Sequence, residues 1–346
     1  MKCCPACFGD RGLRKNIFPL KSNETGRCSY CGSEQTRLVE PQQLLEYFEL
    51  LISVYSPDPS GKLLVEHFRK DWSLFGHPVM DDPRAEDLLA EILSDGNIVR
   101  KTFSPIQIPS EDRLGAWEKL RDELMYRNRF FPDANIDLDR LEFLLGSLAL
   151  DKDEVPTDWF RGRIQTGDNA KTAAEMGPPP KRVASHGRAN PAGIPYLYVG
   201  STPITAVSEI RPHTGETACV ISYKTPADLK LVDLRQPRKM VSPFLLEDAQ
   251  DIARMRSDIP FLERLGEELT RPVVPQAAAI DYTPSQYVCE FIKKCGYDGV
   301  VYRSSVVTDG INLALFDSDR ALPGKLSLYR VARVSVDVEA IMIPAI

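Results

Sequence analysis

The sequence is short of the groups on which several function classes depend. Histidine occurs only four times in 346 residues, which leaves little for a histidine-based catalyst. No run of about 18 apolar residues appears, so no membrane span is expected. The opening residues M-K-C-C-P-A-C-F carry no apolar h-region. No secretory signal is therefore expected, and the cytoplasm is the expected compartment. Acidic residues outnumber basic ones, 49 against 43, for a net charge of −6. That balance, with no basic stripe along the chain, argues against a protein built to coat nucleic acid. No internal repeat is seen, and no Walker or G-x-G-x-x-G signature marks a phosphate loop.

Cysteine is what the front of the chain does have. Five of the eight cysteines fall in the first 31 residues, and in a reducing compartment such a cluster reads as metal binding before disulfides. Cys4-x-x-Cys7 and Cys28-x-x-Cys31 form two hooks, each able to bend two thiolates onto one ion. The spacing is that of a zinc ribbon, expected over residues 1–36 with one structural Zn2+, because four thiolates leave no open coordination position. Cys3 competes with Cys4 for the first ligand place.

Residues 37–150 read as an all-helical domain. Apolar residues recur at helical spacing over 43–54, 63–75, 85–93, 114–126 and 138–150, with Asp81, Asp82 and Pro83 opening the third of these. A charged link at 151–156 precedes a change of composition, and 155–346 reads as a mixed α/β domain. Strand-like runs cover 194–199, 218–223, 229–234, 298–302 and 311–316, and 330–343 alternates as a last strand pair. A polar helical insert is expected over 243–269 and a helix over 283–295, which Gly296 stops. The chain as a whole is α+β.

The stretch 185–212 organises this second half. An apolar strand ends at Gly200, Ser201 or Thr202 caps the next helix, and Pro203 occupies its first position. Ile204, Val207 and Ile210 fall on one face of that helix, with Glu209 on the other side. Arg188 enters before the strand and Tyr198 sits at its end. A cation, a phenol and a carboxylate are thus drawn towards one region, a set that suits a ligand with phosphate and sugar groups.

These residues resemble the RES-domain family, named for an arginine, a glutamate and a serine. The resemblance rests on Gly187-Arg188-Ala189-Asn190-Pro191-Ala192-Gly193, on Tyr198, and on Ala206-Val207-Ser208-Glu209. It closes with Asp298-Gly299-Val300-Val301-Tyr302-Arg303-Ser304-Ser305 and Asn312-Leu313-Ala314-Leu315-Phe316, while Arg161 fits the family's early arginine. It covers about the last 190 residues. The family's tryptophan after the motif arginine is Ala189 here. The front half resembles the helical HEPN-type region that precedes RES domains in some longer members. The Arg-x(4–6)-His motif of HEPN ribonucleases is missing, because no histidine follows Arg127-Asn128 in 127–132, so no ribonuclease activity is expected.

The resemblance implies a fold like that of ADP-ribosyltransferases and the breakdown of NAD+ at its nicotinamide–ribose bond, by a glycohydrolase or phosphorylase. It implies a toxin paired with an Xre-type antitoxin, with NAD+ as substrate. The residue types fit that chemistry. Arg188 and Arg161 can bind a pyrophosphate by forked hydrogen bonds, and Glu209 can meet an oxocarbenium-like charge. Tyr198 can stack on nicotinamide or bond the ribose, Ser304 can hold a ribose hydroxyl or the glutamate, and Asn312 completes the substrate-binding set. Ser305 competes with Ser304 for that role. Two other functions stay open: ADP-ribosyl transfer to a macromolecule, and a non-enzymatic zinc-ribbon adaptor that binds protein or nucleic acid. A homo-oligomer is also left open.

Overall fold

The computed structural model describes residues 1–107, 112–167, 169–335 and 338. They form two compact units, the first made of 1–149 with 236–267 and the second of 150–235 with 268–346. The linear expectation of 1–36, 37–150 and 155–346 drew no such return of the chain. Its physical basis is apolar, since the returning segment brings Ile252, Met255, Ile259, Phe261, Leu262 and Leu265, all buried.

In the first unit, a single helical turn at Pro5–Phe8 carries Cys7 into the interior. Two short strands, β1 (Thr25–Gly26) and β2 (Thr36–Arg37), pair antiparallel. The helices are α1 (Leu45–Ile52), α2 (Leu64–Trp72), α3 (Asp82–Leu93), α4 (Arg113–Tyr126) and α5 (Leu138–Ser147), close to the periodic runs of the sequence. Their starts have local causes. The carboxylates of Asp81, Asp112 and Asp137 accept from the amides of Arg84, Gly115 and Arg140, satisfying N–H groups that a helix leaves unpaired.

The cysteine module and the helices share one core. Phe8, next to Cys7, packs against Phe18, Phe48 and Phe75 with ring centroids 5.6–6.1 Å apart. Phe48 in turn meets Phe244 of the returning segment at 5.0 Å. A long helix, Ala249–Thr270, brings the buried Asp258 carboxylate between Arg113 and Arg140 at 2.5 and 2.8 Å. One antiparallel strand pair lies outside the expectation, β3 (Tyr55–Leu63) against β4 (Thr102–Pro105). Its first strand, Y-S-P-D-P-S-G-K-L, is mostly solvent-facing and lacks apolar alternation.

The second unit is built on a seven-stranded sheet. Its strands are β5 (Asp158–Ile164), β6 (Leu197–Gly200), β7 (Thr217–Lys224), β8 (Leu231–Asp233), β9 (Gly299–Arg303), β10 (Ile311–Leu315) and β11 (Leu322–Arg330). The order is β11-β7-β5-β6-β10-β9-β8, antiparallel except for the parallel pair β8–β9. One face buries Trp159, Leu197, Val199, Ile221, Val301, Leu313 and Leu315 in a common core. The alternation of strand side chains sends Tyr198, Tyr302 and Asn312 to the other face. The expected strand pair over 330–343 is not found in the described part. Arg330 instead ends β11 and 331–335 carry no regular structure, while 336, 337 and 339–346 lie outside the described residues.

Across that other face lies α6 (Pro203–Glu209), capped by the Thr202 hydroxyl on the Thr205 amide. Its inner face differs from the expected Ile204, Val207 and Ile210. Thr205 and Ala206 are buried, whereas Ile204 is 71% exposed. Close approach of backbones is the reason. A Cβ on Gly162 of β5 would sit 2.7 Å from the Ala206 carbonyl oxygen, so the helix rests on the strand through small residues. Gly162→Ala should therefore push α6 outward and cost about 1–3 kcal/mol by overpacking, read as a lower Tm in thermal denaturation. An unchanged Tm would contradict this contact.

Candidate functional site

Register places the site before any side chain is considered. Asn312 of β10 pairs with Gly200 of β6 on one side and Tyr302 of β9 on the other, and Gly200 also pairs with Phe160 of β5. Four strands thus present one row of residues to the face crossed by α6. A cavity of about 520 Å3 opens there, within the range of small-molecule sites. It is lined by Arg161, Arg188, Tyr198, Glu209, Tyr302 and Asn312 among others.

Glu209, at the last position of α6, is exposed yet held. Its Oε1 accepts from Ser304 Oγ at 2.7 Å and from Asn312 Nδ2 at 2.6 Å. Both donors meet the same oxygen, and Oε2 has no hydrogen-bond partner among the described residues. Ser304 is itself fixed, since its hydroxyl accepts the amides of Val306 and Val307 at 3.2 and 3.1 Å. Ser305 borders the cavity instead. The two serines therefore differ in place: one orients the carboxylate and the other faces the opening. Asn312 is buried, and its amide nitrogen is engaged by Glu209.

Arg188 and Tyr198 meet through one loop. The Tyr198 hydroxyl donates to Asn190 Oδ1 at 2.7 Å and accepts the Ala189 amide at 2.9 Å. Burial pushes the phenol well above its usual range, so it is a neutral strut for the loop. A Cβ on Gly187 would come within 2.4 Å of Asn190 Oδ1 and 2.6 Å of the Tyr198 oxygen, which leaves room for glycine alone. The Arg188 guanidinium donates to the Arg271 carbonyl at 2.7 Å and lies 5.2 Å from the Tyr282 ring centroid. It has no carboxylate partner among the described residues. Ala189, in the place of the family's tryptophan, is fully buried.

Arg161 is placed differently from the other expected residues. Its pairing with Ile221 puts it on the core side of β5 with Trp159. Its Nη1 donates to the Tyr198 carbonyl at 2.8 Å, while its Nε is buried without a partner. Burial, then repulsion from Arg163, lowers its pKa to about 10. It borders the cavity as a strand-tying cation.

Several lining residues escaped the sequence reading. His186 directly precedes the Gly187-Arg188 motif, and Tyr302 lies inside another quoted motif. Tyr282 stands one residue before the expected helix start. For Tyr302, burial drives the phenol far up, with Tyr198 and Glu209 adding to the effect.

A second cluster lies in the first unit. The sulfurs of Cys4, Cys7, Cys28 and Cys31 are buried and all within 4.8 Å of one another. The Cys4–Cys31 and Cys7–Cys28 pairs lie at 3.5 and 3.3 Å. Cys3 falls outside this group, and its backbone pairs with Val39 in both directions. Tetrahedral zinc with bonds of about 2.3 Å sets its sulfurs about 3.8 Å apart, so the donor set fits such an ion.

No helix among the described residues is long and apolar enough to cross a membrane. No curated protein matches the sequence. Among solved structures, the MbcT-MbcA toxin-antitoxin complex of M. tuberculosis aligns with a chain at 13% identity. The alignment covers 57% of this chain and 96% of that one, with a TM-score of 0.32. Residues 162–331, which contain Arg188, Tyr198, Glu209, Ser304 and Asn312, match the family model of the RES domain.

Proposed function

We propose that this chain consumes NAD+ by breaking the bond between nicotinamide and ribose, with water or inorganic phosphate as acceptor. The observation that carries the reading is the Glu209 carboxylate, fixed through Oε1 by Ser304 and Asn312, with Oε2 left without a partner among the described residues, in a cavity that Arg188 also lines. The match of 162–331 to the RES domain supports it, as does the cavity volume.

Breaking the bond leaves the electron pair on the nicotinamide nitrogen and a positive charge on the ribose C1′ and ring oxygen. A carboxylate already oriented towards that carbon stabilises the charge without reorganising at the moment of reaction. The acceptor oxygen then bonds C1′, and water gives up its proton to Glu209 or to solvent. Arg188 anchors the pyrophosphate through its free N–H groups, and Arg161 adds positive charge at the border of the cavity. Tyr198 and Tyr302 offer aromatic surface to the nicotinamide or the ribose. The same reading makes the chain the toxin of a toxin–antitoxin pair, with an antitoxin as its protein partner.

The test is nicotinamide release from NAD+ by the purified full chain, with and without phosphate and with candidate protein acceptors. Release is expected, and Glu209→Gln should slow it by about 100-fold to 1,000-fold. Wild-type protein that leaves NAD+ intact would contradict the reading. ADP-ribose recovered on a protein acceptor would make the chain a transferase.

The cysteine cluster receives a structural zinc in this account, held by Cys4, Cys7, Cys28 and Cys31. It supplies cross-linking rather than chemistry, since four thiolates close its coordination shell. Elemental analysis of protein purified without added metal should find about one equivalent of zinc, lost in Cys28→Ser. Folded protein with less than about half an equivalent would refute the site.

A further inference from the structure

The helix that follows the cavity wall, Thr283–Lys294 (α7 hereafter), begins unusually. Its N-cap position is Tyr282, and no side chain caps its N-terminus. Two of its early polar side chains, Ser285 and Gln286, reach the segment that carries Arg188. Ser285 is fully buried, on a helix whose other buried residues include Val288, Cys289, Phe291 and Ile292. A hydroxyl placed there costs stability unless it is hydrogen-bonded. Its oxygen lies 2.5 Å from the Arg188 carbonyl and 3.0 Å from that of Tyr282. Gln286 Nε2 donates to the Gly187 carbonyl at 2.8 Å.

The two peptide carbonyls flanking the Arg188 Cα are thus both gripped from α7. From the sheet side, Tyr198 grips the Ala189 amide and the Asn190 side chain, and the Gly187 amide closes the loop on the Asn190 carbonyl at 2.9 Å. The guanidinium, in turn, is aimed by the Arg271 carbonyl and the Tyr282 ring. An arginine with many rotamers is thereby reduced to few, and the entropy of ordering it falls before a ligand arrives.

We propose that Ser285 and Gln286 are positioning residues for Arg188, fixing the backbone from which its guanidinium meets a pyrophosphate. The proposal rests on the NAD+ reading of this cavity. It assigns them no contact with the substrate.

The probe is ADP-ribose, whose pyrophosphate Arg188 would hold and which cannot turn over at the nicotinamide bond. Titration calorimetry on the full chain should show binding by the wild type. Ser285→Ala and Gln286→Ala should each weaken it about tenfold, and the KM for NAD+ should rise by a larger factor than kcat falls. Placed on an Arg188→Ala background, the same substitutions should change ADP-ribose affinity by less than about twofold, because their effect passes through Arg188. Gln286, only partly buried, carries the test if Ser285→Ala fails to fold. Unchanged affinity in Gln286→Ala, or losses that simply add to that of Arg188→Ala, would overturn the proposal alone. A wild type with no affinity for ADP-ribose would overturn it together with the NAD+ reading.

Discussion

The site depends on two hydrogen bonds to one carboxylate oxygen. Glu209 ends a seven-residue helix and faces solvent, where an unheld side chain would sample many rotamers. Ser304, just past the end of β9, and Asn312, near the start of β10, both donate to its Oε1. They tie the end of α6 to the sheet and leave the second oxygen free. Other features of the unit follow from this tie. The pairing of β10 with β6 and β9 brings Asn312 beneath the helix end, and Gly162 lets the helix lie close enough for the bonds to form.

A second ordered element serves the cation. Arg188 sits in a loop whose shape is imposed by side chains from β6 and α7 rather than by regular backbone pairing. The two charges are held by different means: the carboxylate by one donor just past β9 and one on β10, and the guanidinium by a braced loop, a carbonyl and an aromatic ring. Neither is neutralised by an opposite charge among the described residues, so both keep their charge available to a ligand. That separation distinguishes them from Asp258 with its two arginines in the first unit, an ion cluster closed on itself that ties helices together.

Local signals made much of this legible in the sequence. The two Cys-x-x-Cys hooks foretold a set of four converging sulfurs, and Thr202-Pro203 marked the start of α6 by its capping chemistry. The expected helices of the first unit were close to those observed because their apolar periodicity is long and regular. What was not legible depends on distant partners. The inner face of α6 was misread because seven residues give too short a period, and because packing there follows from Gly162, some forty residues earlier. The strand β11 carries Pro323, Gly324 and Lys325 and is mostly exposed, so it lacks the alternation of a buried strand. Arg161 looked like a second phosphate anchor, yet its strand register turns it to the core side. Tyr198 looked able to meet a ligand through ring or hydroxyl, yet its hydroxyl braces the Arg188 loop, which leaves the ring to line the cavity. Both outcomes were set by which neighbour lay opposite, a matter of register that residue type alone does not encode.

The most direct measurement is a crystal structure of the Glu209→Gln protein soaked with NAD+, where slowed turnover preserves the substrate. The account predicts the nicotinamide ribose with its C1′ carbon against the side chain of position 209, and the pyrophosphate on the Arg188 guanidinium. A dinucleotide bound with that ribose turned away from position 209, or a cavity left empty at saturating NAD+, would contradict it.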